Sequence, residues 1–118
     1  NALRRLQQEG KLKTDIKLVV NTSNASGAAS FILNDDKKTL SYNINYSRLS
    51  SNETGSDISI NEENNTRVLF EFPLGNIKKG ILSYVNSIEN LLTSGNAYLR
   101  IKSLLFSNGE LISKINAV

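Results

Sequence analysis

Three features of the sequence predict an all-β fold: an antiparallel β-sandwich of Greek-key, immunoglobulin-like type with one short helix near residues 86–94. In residues 39–49, Leu40, Tyr42, Ile44 and Tyr46 alternate with Ser41, Asn43, Asn45 and Ser47. In residues 97–102, Ala97, Leu99 and Ile101 point one way and Tyr98, Arg100 and Lys102 the other. A period of two marks a strand with one face in a core. The third feature is spacing: about eight such runs, separated by polar turns, suit a sandwich or Greek-key barrel.

Taken in order, residues 1–9 read as the last turns of a helix, with Leu3 and Leu6 on one side and Gly10 as its stop. Residues 1–10 are therefore expected to be a helical turn or linker, and residues 11–118 the β domain. In residues 11–20, Leu12, Ile16, Leu18 and Val20 share a parity and predict a strand; residues 21–27 form a small, polar loop. A hairpin follows, residues 28–33 against 39–49, turning through Asn34, Asp35, Asp36, Lys37 and Lys38. Asn and Asp suit that turn because their side chains bond their own backbone.

Residues 50–56 read as a loop and 57–60 as a short strand with Ile58 and Ile60 inward. Residues 62–65 turn the chain into a strand over 66–72, with Val68, Phe70 and Phe72 on one face. Pro73 ends it, having no N–H for a ladder bond. Another strand is expected around 81–84. The helix over 86–94 has Asn86 as cap, Glu89 completing a capping box, Ile88, Leu91 and Leu92 as apolar face, and Gly95 as stop. Last come the strand from Ala97, a tight turn at Ser107, Asn108 and Gly109, and a closing strand carrying Leu111, Lys114 and Ile115.

The 118 residues suffice for one ordinary core. The net charge of +3 is scattered along the chain rather than gathered with aromatics on one element, so it reads as solvated surface and not as a nucleic-acid interface. No cysteine is present, which removes disulfides, zinc fingers and thiol chemistry. No apolar run reaches the roughly 18 residues that span a bilayer, so no membrane insertion is expected in this segment. The chain starts at Asn1 and has no methionine, so it is expected to be a processed or excised piece of a longer one.

Three stretches together resemble the CHRD (chordin-type) domain family. Residues 25–50 look like its opening hairpin, in which a small-Gly-small run leads to a strand, an acidic turn, Leu40-x-Tyr42-x-Ile44, and the corner Arg48-Leu49-Ser50. Residues 68–75, Val-Leu-Phe-Glu-Phe-Pro-Leu-Gly, are similar to its middle strand. Leu92-x-x-Gly95 followed by Tyr98-Leu99-Arg100-Ile101, then Gly109-Glu110-Leu111, resemble its ending. The likeness runs from about Gly27 to Ile115. It implies a β-sandwich module of secreted and surface-attached proteins that serves interaction. Family members commonly carry a His-Ile-His strand and a further histidine. The corresponding positions here are Asp57-Ile58-Ser59 and Lys102, and the chain has no histidine. The resemblance is thus to a divergent member, and any centre built from those imidazoles is absent.

No catalytic, cofactor-binding or metal site is expected. Asp57, Glu62 and Glu63, with Asn61 and Asn64, offer oxygens to Ca²⁺ but lack EF-hand spacing and read as a solvated turn; Asp35 and Asp36 read the same way. Without His or Cys, a Ser–Lys pair is the nucleophile–base combination left, and no motif sets it up. Ser41, Ser47, Ser83 and Ser103 read as outward or edge residues. A carboxylate pair such as Asp57 with Glu71 or Glu110 carries no spacing signal. Tyr42, Tyr46, Tyr84 and Tyr98 read as core-edge aromatics, with a sugar-stacking surface as the alternative. Asn-x-Ser/Thr triplets begin at Asn21, Asn24, Asn45, Asn52 and Asn64 and lend weak support to an extracellular setting. The expected function is thus a non-catalytic extracellular or cell-surface module. It binds protein partners, or self-assembles, through strand edges and loops; the alternative is a carbohydrate-binding module using surface tyrosines, with a glycan as ligand.

Overall fold

A computed structural model describes residues 3–8, 13–14, 24–34, 37–63 and 65–117. Its elements in chain order are β1 (Leu3–Gln8), β2 (Lys13–Thr14), β3 (Ser26–Asn34), β4 (Thr39–Ser47), β5 (Glu53–Glu62), β6 (Asn65–Phe72), β7 (Ile77–Ser83), α1 (Asn86–Thr93), β8 (Ala97–Ser103) and β9 (Leu111–Ala117). The strands pair antiparallel along one path, β6-β5-β8-β9-β1-β3-β4-β7, with β2 added on β9. That path folds over on itself. The Tyr42 ring on β4 lies 4.7 Å from Phe72 on β6, although five strands separate β4 from β6 along the ladder. One layer is β6-β5-β8-β9 and the other β3-β4-β7, and β1 joins them by pairing with both β9 and β3. The connections β4–β5 and β6–β7 cross between layers, and the result is an all-β sandwich.

The core is built from the alternating residues. Phe31 and Leu33 of β3, Leu40, Tyr42, Ile44 and Tyr46 of β4, Ile58 and Ile60 of β5, Ala97, Leu99 and Ile101 of β8, and Leu111 and Ile115 of β9 are all buried. Helix α1 closes one end with Leu92 fully buried, and Ile88 and Leu91 pack beside it. At eight residues the helix is too short to stand alone and owes its existence to that packing.

Several expectations are corrected. Residues 3–8 are a strand, not the end of a helix; Leu3 and Leu6 fit helical spacing, but pairing with β3 and β9 decides the conformation. Strand β5 begins at Glu53, well before Asp57, and residues 56–60 are buried on both faces, so alternation cannot reveal it. A bulge opposite Ile58 and Ser59 interrupts β6. It places Val68 opposite Ser59 while Phe70 stays opposite Ile58, so Val68 is exposed and Phe72 buried. Strand β7 starts at Ile77 rather than near Ile81. The α1 cap position is Val85, whose side chain has no acceptor for a cap bond, and Glu89 is engaged by Lys38 and Tyr84 instead of closing a capping box. The β8–β9 connection is a loop over residues 104–110, longer than a two-residue turn, with Gly109 at φ 135°. Gly95 stops α1 at φ 85°, as expected. The remainder of the expected 11–20 strand, residues 21–23, Asp35, Asp36 and Asn64 lie outside the described residues.

Two substitutions test this packing. A Cβ on Gly80 of β7 would sit 2.7 Å from the Tyr42 hydroxyl and 2.9 Å from its Cζ. Gly80→Ala is therefore expected to cost about 1–3 kcal/mol in urea unfolding, and less in a Tyr42→Phe background. Equal costs in both backgrounds would refute the clash. The Ser56 Oγ is buried on β5 with no hydrogen-bond partner. Ser56→Ala is expected to be neutral or to stabilise by up to about 1 kcal/mol, and a clear destabilisation in the same assay would show that the hydroxyl is satisfied.

Candidate functional site

Among the described residues β6 and β7 end the hydrogen-bonded path, each with one ladder neighbour. The seam between them is held from inside by a polar cluster. Lys78 points inward from β7 and is almost completely buried. Its Nζ lies 2.9 and 3.1 Å from the two Glu53 carboxylate oxygens and donates to the Pro73 carbonyl at 2.6 Å. The Tyr46 hydroxyl of β4 donates to the same carboxylate and lies 3.1 Å from the Gly75 carbonyl, whose own N–H donates to Glu53 at 3.0 Å. The Lys78 ammonium also sits 5.4 Å from the Tyr46 ring centre, a cation–π distance. Both layers and the β6–β7 loop meet at one carboxylate.

Burial alone would raise the Glu53 carboxyl, but hydrogen bonds from Lys78, Tyr46 and the Gly75 N–H outweigh it and hold the group below its ordinary 4.5. Burial first, then the bond to Glu53 and its charge, push the Tyr46 hydroxyl well above its ordinary 10.0.

Two further carboxylates are consumed in the same manner. Asp57 on β5 is fully buried and takes a bidentate pair from Arg100 of β8, both bonds 2.8 Å, with Lys102 at 3.2 Å. Asp57, Arg100 and Lys102 thus form one ion cluster that joins β5 to β8. Glu110 is also fully buried. It accepts from the Ser50 N–H at 2.8 Å, the Ser50 hydroxyl at 3.0 Å and the Ser103 hydroxyl at 2.8 Å. Ser50 belongs to the Arg48-Leu49-Ser50 corner and Glu110 to the Gly-Glu ending, so two distant family-like motifs are one contact. Arg48 bends that corner with φ at 65°.

Among the sequence-predicted candidates, Ser103 is corrected from an outward residue to a buried partner of Glu110. Tyr42, Tyr46 and Tyr84 are buried, and only Tyr98 is partly exposed. The tyrosines therefore make no stacking surface. Asp57 is a buried ion-pair partner and no part of a solvated turn, while Glu62 and Glu63 are exposed at the β5–β6 turn. Asp57 and Glu71 lie opposite one another in the ladder, but Asp57 is committed to Arg100. Among the described residues no three acidic side chains gather as a metal site. Asn24, Asn45 and Asn52 are exposed; Asn21 and Asn64 lie outside the described residues.

An open cleft of about 610 Å³ lies between the corner at Arg48 and Ser50 and the loop at Leu74 and Asn76, and Glu53, Tyr46 and Gly75 of the cluster form part of its wall. A second surface feature is apolar. Ile77, Ile81 and Val85 stand exposed along the outer side of β7 and its extension. The sequence missed it because the strand was expected to start later, which placed Ile77 in a loop.

The family model described as the CHRD domain matches residues 12–115 of this chain. No curated protein and no solved structure matches it.

The Glu53 cluster predicts the pH response. Its lowered carboxyl contributes stability that is complete above pH 4.5 and is lost as pH falls through the folded value. The raised Tyr46 hydroxyl contributes stability that is complete below pH 10.0 and is lost as pH rises beyond it. Glu53→Gln is expected to lower neutral-pH stability by about 3 kcal/mol, leaving the buried ammonium unpaired, and to flatten the acid limb of stability against pH in urea titrations. An unchanged acid limb in that variant would show that Glu53 does not cause it.

Proposed function

The chain belongs to the CHRD family, and from that membership we propose that it works outside the cytoplasm as a non-catalytic interaction module of a secreted or cell-surface protein. The observation that carries the reading is how the charged groups are used. The half-buried Glu53 and the buried Asp57 and Glu110 are each held by fixed donors, which supports a structural use of these carboxylates over a base or nucleophile. The family is in general a non-enzymatic one. What the domain offers to other molecules is strand edge, loop and apolar outer surface. An exposed edge binds an extended segment through main-chain bonds, with side chains supplying selectivity.

The test is labelling of intact source cells with a membrane-impermeant, amine-reactive cross-linker, for which exposed Lys37 and Lys79 are targets. The chain is expected to be labelled without lysis and recovered in adducts heavier than itself. Labelling that requires lysis would overturn the extracellular assignment, and labelling without heavier adducts would overturn the interaction role.

A further inference from the structure

We propose that the partner strand at the β7 edge is β7 of a second copy of this chain, paired antiparallel about a two-fold axis at Ile81. The proposal rests on the edge-binding reading above and names its occupant. The Tyr84 N–H donates to the Lys38 carbonyl, and the Asn76 carbonyl accepts from the Tyr46 N–H. Even-numbered residues of this strand thus aim their backbone groups at β4. By alternation, the N–H and C=O of Ile77, Lys79, Ile81 and Ser83 face the other way, and among the described residues β4 is the strand that pairs with β7. These same residues point their side chains outward: Ile77 is 75% exposed and Ile81 68%, with Val85 beyond at 65%.

The register follows from the side chains. Pairing centred on Ile81 sets Ile81 against Ile81, Lys79 against Ser83 and Ile77 against Val85. Every exposed apolar residue of this edge then meets another, and the Ile81–Ile81 and Lys79–Ser83 pairs are of the kind that exchanges two main-chain bonds; at the outer Ile77–Val85 pair the Val85 carbonyl already accepts from the Ile88 N–H. The two Lys79 ammoniums stand about 13 Å apart, four residues along the ladder, beyond the screening length at physiological salt. Centring on Gly80 instead sets Lys79 against Ile81 and Ile77 against Ser83, and centring on Lys79 opposes two like charges. The Lys78 charge that points inward is neutralised within its own sandwich by Glu53 and does not guard this edge. The β6 edge is different: it carries a bulge, exposed Arg67 and Glu71, and Pro73 at its end, all features that discourage pairing. Ile32 of β3, aligned with Ile81 through Ser41, widens the apolar row on the joined face. A contact made of the same patch on both copies closes as a dimer and does not propagate.

The chain has no cysteine, so an introduced one is unique. The purified protein is expected to rise from monomer to dimer mass in light scattering between micromolar and millimolar concentration. Ile81→Arg should weaken that association at least about tenfold with unchanged circular dichroism, while Val68→Lys on β6 should leave it intact. A mixture of Lys79→Cys and Ser83→Cys proteins should cross-link through a short bis-maleimide, and Lys79→Cys alone should not; this reading stands even where Ile81→Arg impairs folding. A monomer mass throughout, dimerisation untouched by Ile81→Arg in a folded protein, or cross-linking of Lys79→Cys with itself would each overturn the proposal. Monomeric protein that still forms adducts on cells would assign the edge to a different protein and leave the interaction role standing.

Discussion

The sandwich depends on one carboxylate. Its two layers belong to a single hydrogen-bonded path whose ends, β6 and β7, share no ladder, so backbone bonding alone does not fix the layers together at that side. Glu53 does this, by collecting Lys78 from β7, Tyr46 from β4 and the Gly75 N–H from the crossing loop. A buried ion pair gains little over a well-packed apolar one, because desolvation offsets most of the attraction. Its value here is specificity. A charged lysine that points into a core has one acceptable position, and that position sets which part of β7 faces which part of β5.

The same logic recurs at Asp57 and Glu110. The polar centre on the β5–β8 face is Asp57 with Arg100 and Lys102, and Ser50 with Glu110 ties the corner after β4 to the start of β9. Charge-assisted bonds supply the fixed geometry at both places.

How much of this was legible in the sequence varied with burial. The strands with one wet face, β4 and β8, declare themselves by alternation, and Pro73 and Gly95 mark ends that the structure keeps. Strand β5 hides because Ser56, Asp57 and Ser59 look like loop residues yet are buried beside Ile58 and Ile60. Strand β1 hides because its conformation comes from partners about 25 and 110 positions away along the chain, and no local propensity encodes that. The bulge in β6 inserts one residue and so shifts the parity of residues 65–68 against 70–72, which sequence periodicity alone does not follow. At the candidate site, Ser103 and Glu110 were separately visible as residues but not as partners; a polar residue on the buried parity of β8 was the one available signal.

The position of β1 has a mechanical consequence. It runs antiparallel to β9, with Leu6 opposite Ala117 and Gln8 opposite Ile115, so the outer ends of both strands leave the sheet on the same side. Main-chain bonds between antiparallel strands lie across the strand direction. A pull that separates Leu3 from Ala117 therefore loads those bonds one after another, from the Leu6–Ala117 pair inward, and peels the strands instead of shearing them together. Stretched through these two points, the domain yields at low force and absorbs extension gradually, as a compliant element and not a rigid strut.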